Sequence, residues 1–187
     1  AGKTLVAQVP ILMNGLNKGL SIFVVPTTAL AIDLARRMKE LLRRKIAEPT
    51  IPPLAWHGEL SEYDRELIKR NIREGRQGII FTSPEAVTGA LLPSIYSAAK
   101  SGLLRYLIID EAHLIAQWGD SFRPAFQALA GLRRGLLESS EGTPFRTILM
   151  SATFSPENVE ILDTLFGPAE SVQMVSAVHL RPEPRYW

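Results

Sequence analysis

Apolar residues in this chain follow two alternating patterns: short unbroken runs, and longer stretches spaced three and four apart. The runs are Ser21-Ile22-Phe23-Val24-Val25, Gly78-Ile79-Ile80-Phe81, Tyr106-Leu107-Ile108-Ile109 and Thr147-Ile148-Leu149-Met150. Their length and lack of charge fit strands buried on both faces of a parallel sheet. Between them, Leu30, Leu34, Met38, Leu41 and Leu42 mark one face of a long helix that starts at Thr27-Thr28. Tyr63, Leu67, Ile68 and Ile72 mark another, opened by the capping-box-like pair Ser61 and Asp64 and ended by Gly75. A helix with Pro84 at its first position runs to about Ala99, and one more covers Pro156 to Phe166. Leu5, Val6, Val9, Leu12 and Met13 recur at helical spacing near the start, Leu54-Ala55-Trp56 reads as a short strand, and Ser171 to Val175 as a last one. Strands alternating with helices predict an α/β fold, a parallel sheet sandwiched by helices.

Each run ends in polar residues, at the strand end where open α/β sheets bind ligands. The ends are Pro26-Thr27-Thr28, Thr82-Ser83-Pro84-Glu85, Asp110-Glu111-Ala112-His113 and Ser151-Ala152-Thr153. Adjacent carboxylates at a buried strand end are costly unless a positive partner is present, and a magnesium ion with a nucleotide supplies that charge. An acidic turn is the bland alternative. By average usage, however, the tetrad Asp-Glu-Ala-His arises by chance in roughly one chain in a thousand of this length. Thr27 and Thr28 suit a helix start; an exposed helix N-terminus beside a hydroxyl also suits a nucleic-acid phosphate, and Thr82 and Ser83 repeat the arrangement.

Ala1-Gly2-Lys3-Thr4 matches the end of the phosphate-binding loop G-x-x-x-x-G-K-[ST]. Alone the match is weak, since Gly-Lys-Ser/Thr turns up in roughly one such chain in ten. The loop's first glycine would lie before Ala1, so the chain reads as an excerpt cut inside that loop. There Lys3 would reach the outer phosphates, and the Thr4 hydroxyl would ligate magnesium.

Composition narrows the classes further. A chain of 187 residues, 46% hydrophobic and 21% charged, suits one soluble domain. The net charge of +2 permits a nucleic-acid partner without arguing for one. The absence of cysteine excludes disulfides and thiolate metal sites and suits a reducing compartment. No apolar run approaches a membrane span, and no leader is visible; the expectation is a cytoplasmic protein, nucleoid-associated if bacterial. Arg36, Arg37, Lys39, Arg43 and Arg44 read as a solvated helix face, with Asp33 spaced to pair with Arg37. His57 reads as structural and His179 as ordinary surface. Gln117-Trp118-Gly119 and Phe122-Arg123-Pro124 form a loop whose aromatics either fold over themselves or meet a ligand.

Gly-Lys-Thr, Pro-Thr-Thr, Thr-Ser-Pro-Glu, Asp-Glu-Ala-His and Ser-Ala-Thr, in that order, resemble the first RecA-like motor domain of a superfamily 2 helicase, a P-loop NTPase fold. The likeness covers residues 1 to about 175. Asp110-Glu111-Ala112-His113 followed by Gln117-Trp118-Gly119 and Phe122-Arg123-Pro124 is similar to the RecQ group of DNA helicases. The resemblance implies an ATP- and Mg2+-dependent, DNA-stimulated motor, with 3′-to-5′ movement on single-stranded or forked DNA. It implies that Gly2, Lys3 and Thr4 bind nucleotide, that Asp110 (with Thr4) holds magnesium, and that Glu111 activates water. His113 would help couple hydrolysis to movement. Thr27, Thr28, Thr82, Ser83, Trp118, Phe122 and Arg123 would touch nucleic acid, while Gln117, Ser151 and Thr153 would link the two sites. It further implies a second RecA-like domain carrying an arginine finger, reached through a linker beginning at 177–187, so that residues 1–187 alone hydrolyse ATP barely or not at all. The departures are Asp120-Ser121, where the RecQ group usually has His-Asp, and Ser151-Ala152-Thr153, which is closer to the broad helicase pattern. An RNA helicase of the Asp-Glu-Ala-His class and a non-hydrolysing nucleic-acid scaffold are the alternatives.

Overall fold

The computed structural model describes residues 9, 19–45, 51–116, 124–142, 144–167 and 173–175. Gly2, Lys3, Thr4, Gln117, Trp118, Phe122, Arg123, His179, the proposed linker 177–187 and all of the first predicted helix except Val9 lie outside the described residues.

Strands β1 (Leu20–Val24), β2 (Ile79–Thr82), β3 (Leu104–Ile109) and β4 (Arg146–Leu149) form one parallel sheet in the order β2-β1-β3-β4. Because side chains alternate along a strand, β1 sends Leu20, Ile22 and Val24 to one face and Phe23 to the other, where Val25 beyond its end also lies. Helix α1 (Thr28–Lys45) covers the second face, where Ala31, Leu34, Met38 and Leu42 meet Phe23, Phe81 and Ile108. The first face is covered by α2 (Glu62–Arg73), α3 (Pro84–Thr88), α4 (Leu92–Lys100), α5 (Pro124–Ser139) and α6 (Pro156–Phe166). Both faces of the sheet are therefore dry, which is why the central strands read as unbroken apolar runs. Among the described residues, no helix is long and apolar enough to cross a membrane.

The local signals act as their chemistry requires. The Ser61 hydroxyl accepts from the Asp64 N–H and donates to its carboxylate, at 3.1 and 2.8 Å, starting α2. Gly75, just past the helix end, takes a left-handed φ of +70°, where a Cβ would lie 3.0 Å from Leu103. Other expectations differ from the structure. The helix predicted from Pro84 to Ala99 is two helices, α3 and α4. Pro93 has no N–H to offer and its ring would clash with the carbonyl four residues back, at Gly89, so the helix breaks between them. Tyr63 is 74% exposed and belongs to no apolar stripe. Leu54-Ala55-Trp56 contributes a single bridge, Ala55 to Phe81. Strand β4 is only half-buried, because it pairs with β3 alone among the described strands. Gln173, Met174 and Val175 are exposed and in no strand, contrary to the predicted last strand; Ser171 and Val172 lie outside the described residues.

Candidate functional site

The site grows from the carboxyl end of β3. The Asp110 N–H donates to the Val24 carbonyl at 2.9 Å, and the Ala112 N–H to the Met150 carbonyl at 2.9 Å. Both neighbouring strands thus fix the acidic strand end. Between these anchors Glu111 adopts φ 50°, ψ 43°, the one non-glycine residue with positive φ among the described residues. A left-handed residue with a side chain costs on the order of 1 kcal/mol and persists only where its surroundings impose it. Its own N–H donates to Asp110 Oδ1 at 3.0 Å, closing a tight corner. The chain then enters a single 3-10 turn, Ala112–Ile115.

That corner brings together residues far apart in sequence. His113 Nδ1 lies 2.9 Å from Ser151 Oγ and 3.3 Å from Glu111 Oε2. Ser151 Oγ donates to the Thr153 carbonyl at 3.0 Å and accepts from the Thr153 N–H at 3.1 Å, a hydroxyl-stabilised turn. The His113 Nδ1 edge thus faces both the Ser151 hydroxyl and the Glu111 carboxylate. A continuous polar path therefore runs from Glu111 through His113 and Ser151 to Thr153, across the ends of β3 and β4. Asp110 is 9% exposed, whereas the Glu111 side chain is 30% exposed and open to solvent. Oxygen donors of this kind suit magnesium, which is typically held by one or two carboxylates and completes its shell with water and phosphate oxygens. Asp110 could hold such an ion. The loop residues Gly2, Lys3 and Thr4 that would face it lie outside the described residues.

The hydroxyl strip sits on the neighbouring strand ends, since Val24 pairs with Thr82. Thr27 and Thr28 are exposed, and Thr27 Oγ1 accepts from the Leu30 N–H at 3.3 Å. Ser83 is half-buried and caps α3 through the Ala86 N–H at 3.4 Å. Thr82 departs from expectation. It is 0% exposed and its hydroxyl has no partner among the described residues, so it presents no oxygen to a phosphate; by strand alternation it lies on the same covered sheet face as Ile80. The turn His57-Gly58 lies on the same edge, because the Trp56 N–H donates to the Phe81 carbonyl at 2.9 Å. Nothing in its spacing signals that placement; the bridge to β2 creates it. His57 Nδ1 is buried with no hydrogen-bond partner among the described residues.

Residues 1–162 match the family model described as DEAD/DEAH box helicase. The chain is similar to the ATP-dependent DNA helicase RecQ of Synechocystis, 30% identical over 158 residues, covering 84% of this chain and 30% of that protein. It is also similar to the probable ATP-dependent DNA helicase RecS of Bacillus subtilis, 27% identical over 178 residues, covering 95% of this chain and 32% of the relative. The chain thus spans about a third of the length of these relatives. Among solved structures, the DUF1998 helicase MrfA bound to DNA shares the fold, with TM-score 0.65 and 22% identity over 88% of this chain and 22% of that one. Mycobacterium smegmatis Lhr bound to single-stranded DNA and AMP-PNP shares it as well, with TM-score 0.58 and 24% identity over 84% of this chain and 20% of its own.

Proposed function

The chain belongs to the DEAD/DEAH box helicase family, and from that premise we propose that it is the first motor domain of a RecQ-like DNA helicase, converting ATP hydrolysis into movement on single-stranded DNA. The observation that carries this reading is the polar path Glu111–His113–Ser151–Thr153, which ties the acidic strand end to the end of the next strand. RecQ and RecS, the similar proteins, are DNA helicases by name, and the two structural neighbours bind DNA.

On this reading Lys3 and Thr4 engage the phosphates, and Asp110 with Thr4 holds Mg2+. The ion, when bound, supplies the positive charge that phosphoryl transfer requires. Glu111 accepts the proton of the attacking water. Its carboxylate is solvent-accessible and steadied by His113, and its left-handed backbone turns it away from the strand axis. His113 is a positioning residue, because it acts through Glu111 and Ser151. Thr27, Thr28 and Ser83 offer hydroxyls and N–H groups to a nucleic-acid backbone, with Trp118, Phe122 and Arg123 as the stacking loop. A second RecA-like domain supplies the arginine for the transition state, a contribution on the order of a thousandfold or more.

In the full-length protein, Glu111→Gln should retain nucleotide binding and lose hydrolysis, whereas Lys3→Ala should weaken nucleotide binding itself. Both are read by nucleotide fluorescence and phosphate release, with single-stranded DNA and RNA as separate activators. Wild-type turnover in Glu111→Gln would defeat the assignment of the base. Stimulation by RNA alone would defeat the DNA reading, and no hydrolysis by the wild type would favour a scaffold.

A further inference from the structure

We propose that the outer face of α1 is a docking surface for the duplex arm of the nucleic acid, gripping its phosphates through Arg43 and Arg44. This rests on the DNA-motor reading above and adds a second contact zone to it.

Charge distribution is the first observation. Helix α1 carries six basic and two acidic residues, a net +4, which exceeds the +2 of the entire chain. Everything outside this one helix is net negative. A solvated helix need not be lopsided: α2, on the opposite face of the sheet, nets only +1.

The second observation is how that charge is engaged. Buried Leu34, Met38 and Leu42 fix the inner face of α1, so Asp33, Arg36, Arg37, Glu40, Arg43 and Arg44 share the outer one. Arg36 bonds Asp33 at 2.9 Å and Glu40 at 2.8 Å, and Arg37 bonds Asp33 at 2.8 Å. Both acids of the helix are thereby engaged in its middle. Arg43 and Arg44 are exposed and make no ion pair among the described residues. Closeness to the helix C-terminus favours them only modestly and does not explain two arginines side by side without an ion pair among the described residues.

Placement and chemistry select the occupant. The same helix starts at Thr27 and Thr28 on the ligand-binding edge, and Arg43 lies roughly 24 Å along it, at about 1.5 Å per residue. An extended anion lying across the edge can continue along the outer face of this helix, which runs back over the sheet. Grip on a single strand relies on aromatic stacking, yet the outer face of α1 carries no aromatic residue; Tyr63 and Tyr96, which are exposed, sit on other helices. Charge without stacking fits the phosphate backbone of a duplex.

The test uses the full-length protein with Arg43→Gln/Arg44→Gln, and Arg43→Lys/Arg44→Lys as the charge-preserving control; all three residue types are good helix formers. Fluorescence anisotropy compares a tailed duplex with its single-stranded tail across a salt series. For the Gln variant, tailed-duplex affinity should fall on the order of tenfold and the salt slope should shrink by about 1.8, the value for two lost phosphate contacts. Single-strand binding and DNA-stimulated hydrolysis should remain at wild-type level, and the Lys variant should behave as wild type. An unchanged slope on the tailed duplex, or equal weakening on both substrates, overturns the duplex surface and leaves the motor reading intact. Wild-type protein that binds neither substrate overturns both.

Discussion

Glu111 holds a backbone conformation that side chains disfavour, and it holds it between two strand-end hydrogen bonds, from Asp110 to Val24 and from Ala112 to Met150. Strain fixed in this way pre-sets the carboxylate before any ligand arrives. His113 lies 3.3 Å from that carboxylate, and Ser151 in turn positions His113 at 2.9 Å. Ser151→Ala removes the hydroxyl that both His113 and Thr153 use. It should lower DNA-stimulated hydrolysis while leaving nucleotide affinity within about twofold, since the phosphates are held elsewhere. Equal loss of nucleotide affinity would show that Ser151 shapes the nucleotide pocket rather than the link between strand ends. Thr82 makes a contrary case. Its buried hydroxyl has no partner among the described residues, so the isosteric Thr82→Val should leave stability unchanged or raise it by up to about 1 kcal/mol. DNA-stimulated hydrolysis should survive, measured beside a denaturant melt. Loss of stimulation in a stable Thr82→Val protein would return this hydroxyl to the DNA track.

Helices are held by their ends and by short ion-pair ladders. Removing the Ser61 cap with Ser61→Ala should destabilise the domain by about 1 kcal/mol, read as a lower denaturation midpoint at unchanged slope. On α1, the hydrogen bond from Arg36 holds the Asp33 carboxyl below its ordinary value of 3.8. A carboxylate depressed on folding contributes stability above its ordinary value and loses it as the pH falls through the lowered one. At the start of α6, the Ser155 hydroxyl lowers Glu157 from 4.5 in the same way. Stability should therefore be insensitive to these groups from pH 6 to 8 and decline below about pH 4. Asp33→Asn should flatten that acid limb, and added salt should flatten it in the wild type, because the pair is exposed and screened. An acid limb identical in both proteins would remove Asp33 from the account.

At the scale of the molecule, two separate apolar layers meet only through the sheet. Phe23 and Phe81 pack at a tilt of 35° in the α1 layer with ring centroids 5.2 Å apart, while Phe126 anchors α5 in the other. Phe81→Ala should cost about 3–5 kcal/mol, as large aromatic truncations in a packed core do. It should unfold the domain as one unit, because β2 and β1 carry both layers. A melt in which α1 detaches first, seen by hydrogen exchange, would show that the layers are independent.

The strand runs of β1 to β4, the long helix faces of α1 and α6 and the Ser61 cap were legible in the sequence because they depend on residues a few positions apart, whereas α5 (Pro124–Ser139) was not among the helices expected. The periods of two and 3.6, the Ser61 cap and the Gly75 stop act locally, and the parallel α/β class follows from their alternation. The tetrad at Asp110 and the hydroxyl ends were legible as chemistry for the same reason. The sequence left undetermined what depends on long-range neighbours. The order β2-β1-β3-β4 sets which strand ends adjoin, and it brings His113 within 2.9 Å of a serine 38 residues away. It also decides that Thr82 points into the core while Ser83 caps, and that Tyr63 looks outward. Periodicity names a face, but only packing decides whether that face is covered. The left-handed turn of Glu111 belongs to this second kind, since nothing in Asp-Glu-Ala-His calls for it and the hydrogen bonds that Asp110 and Ala112 donate to the Val24 and Met150 carbonyls of the two adjacent strand ends impose it.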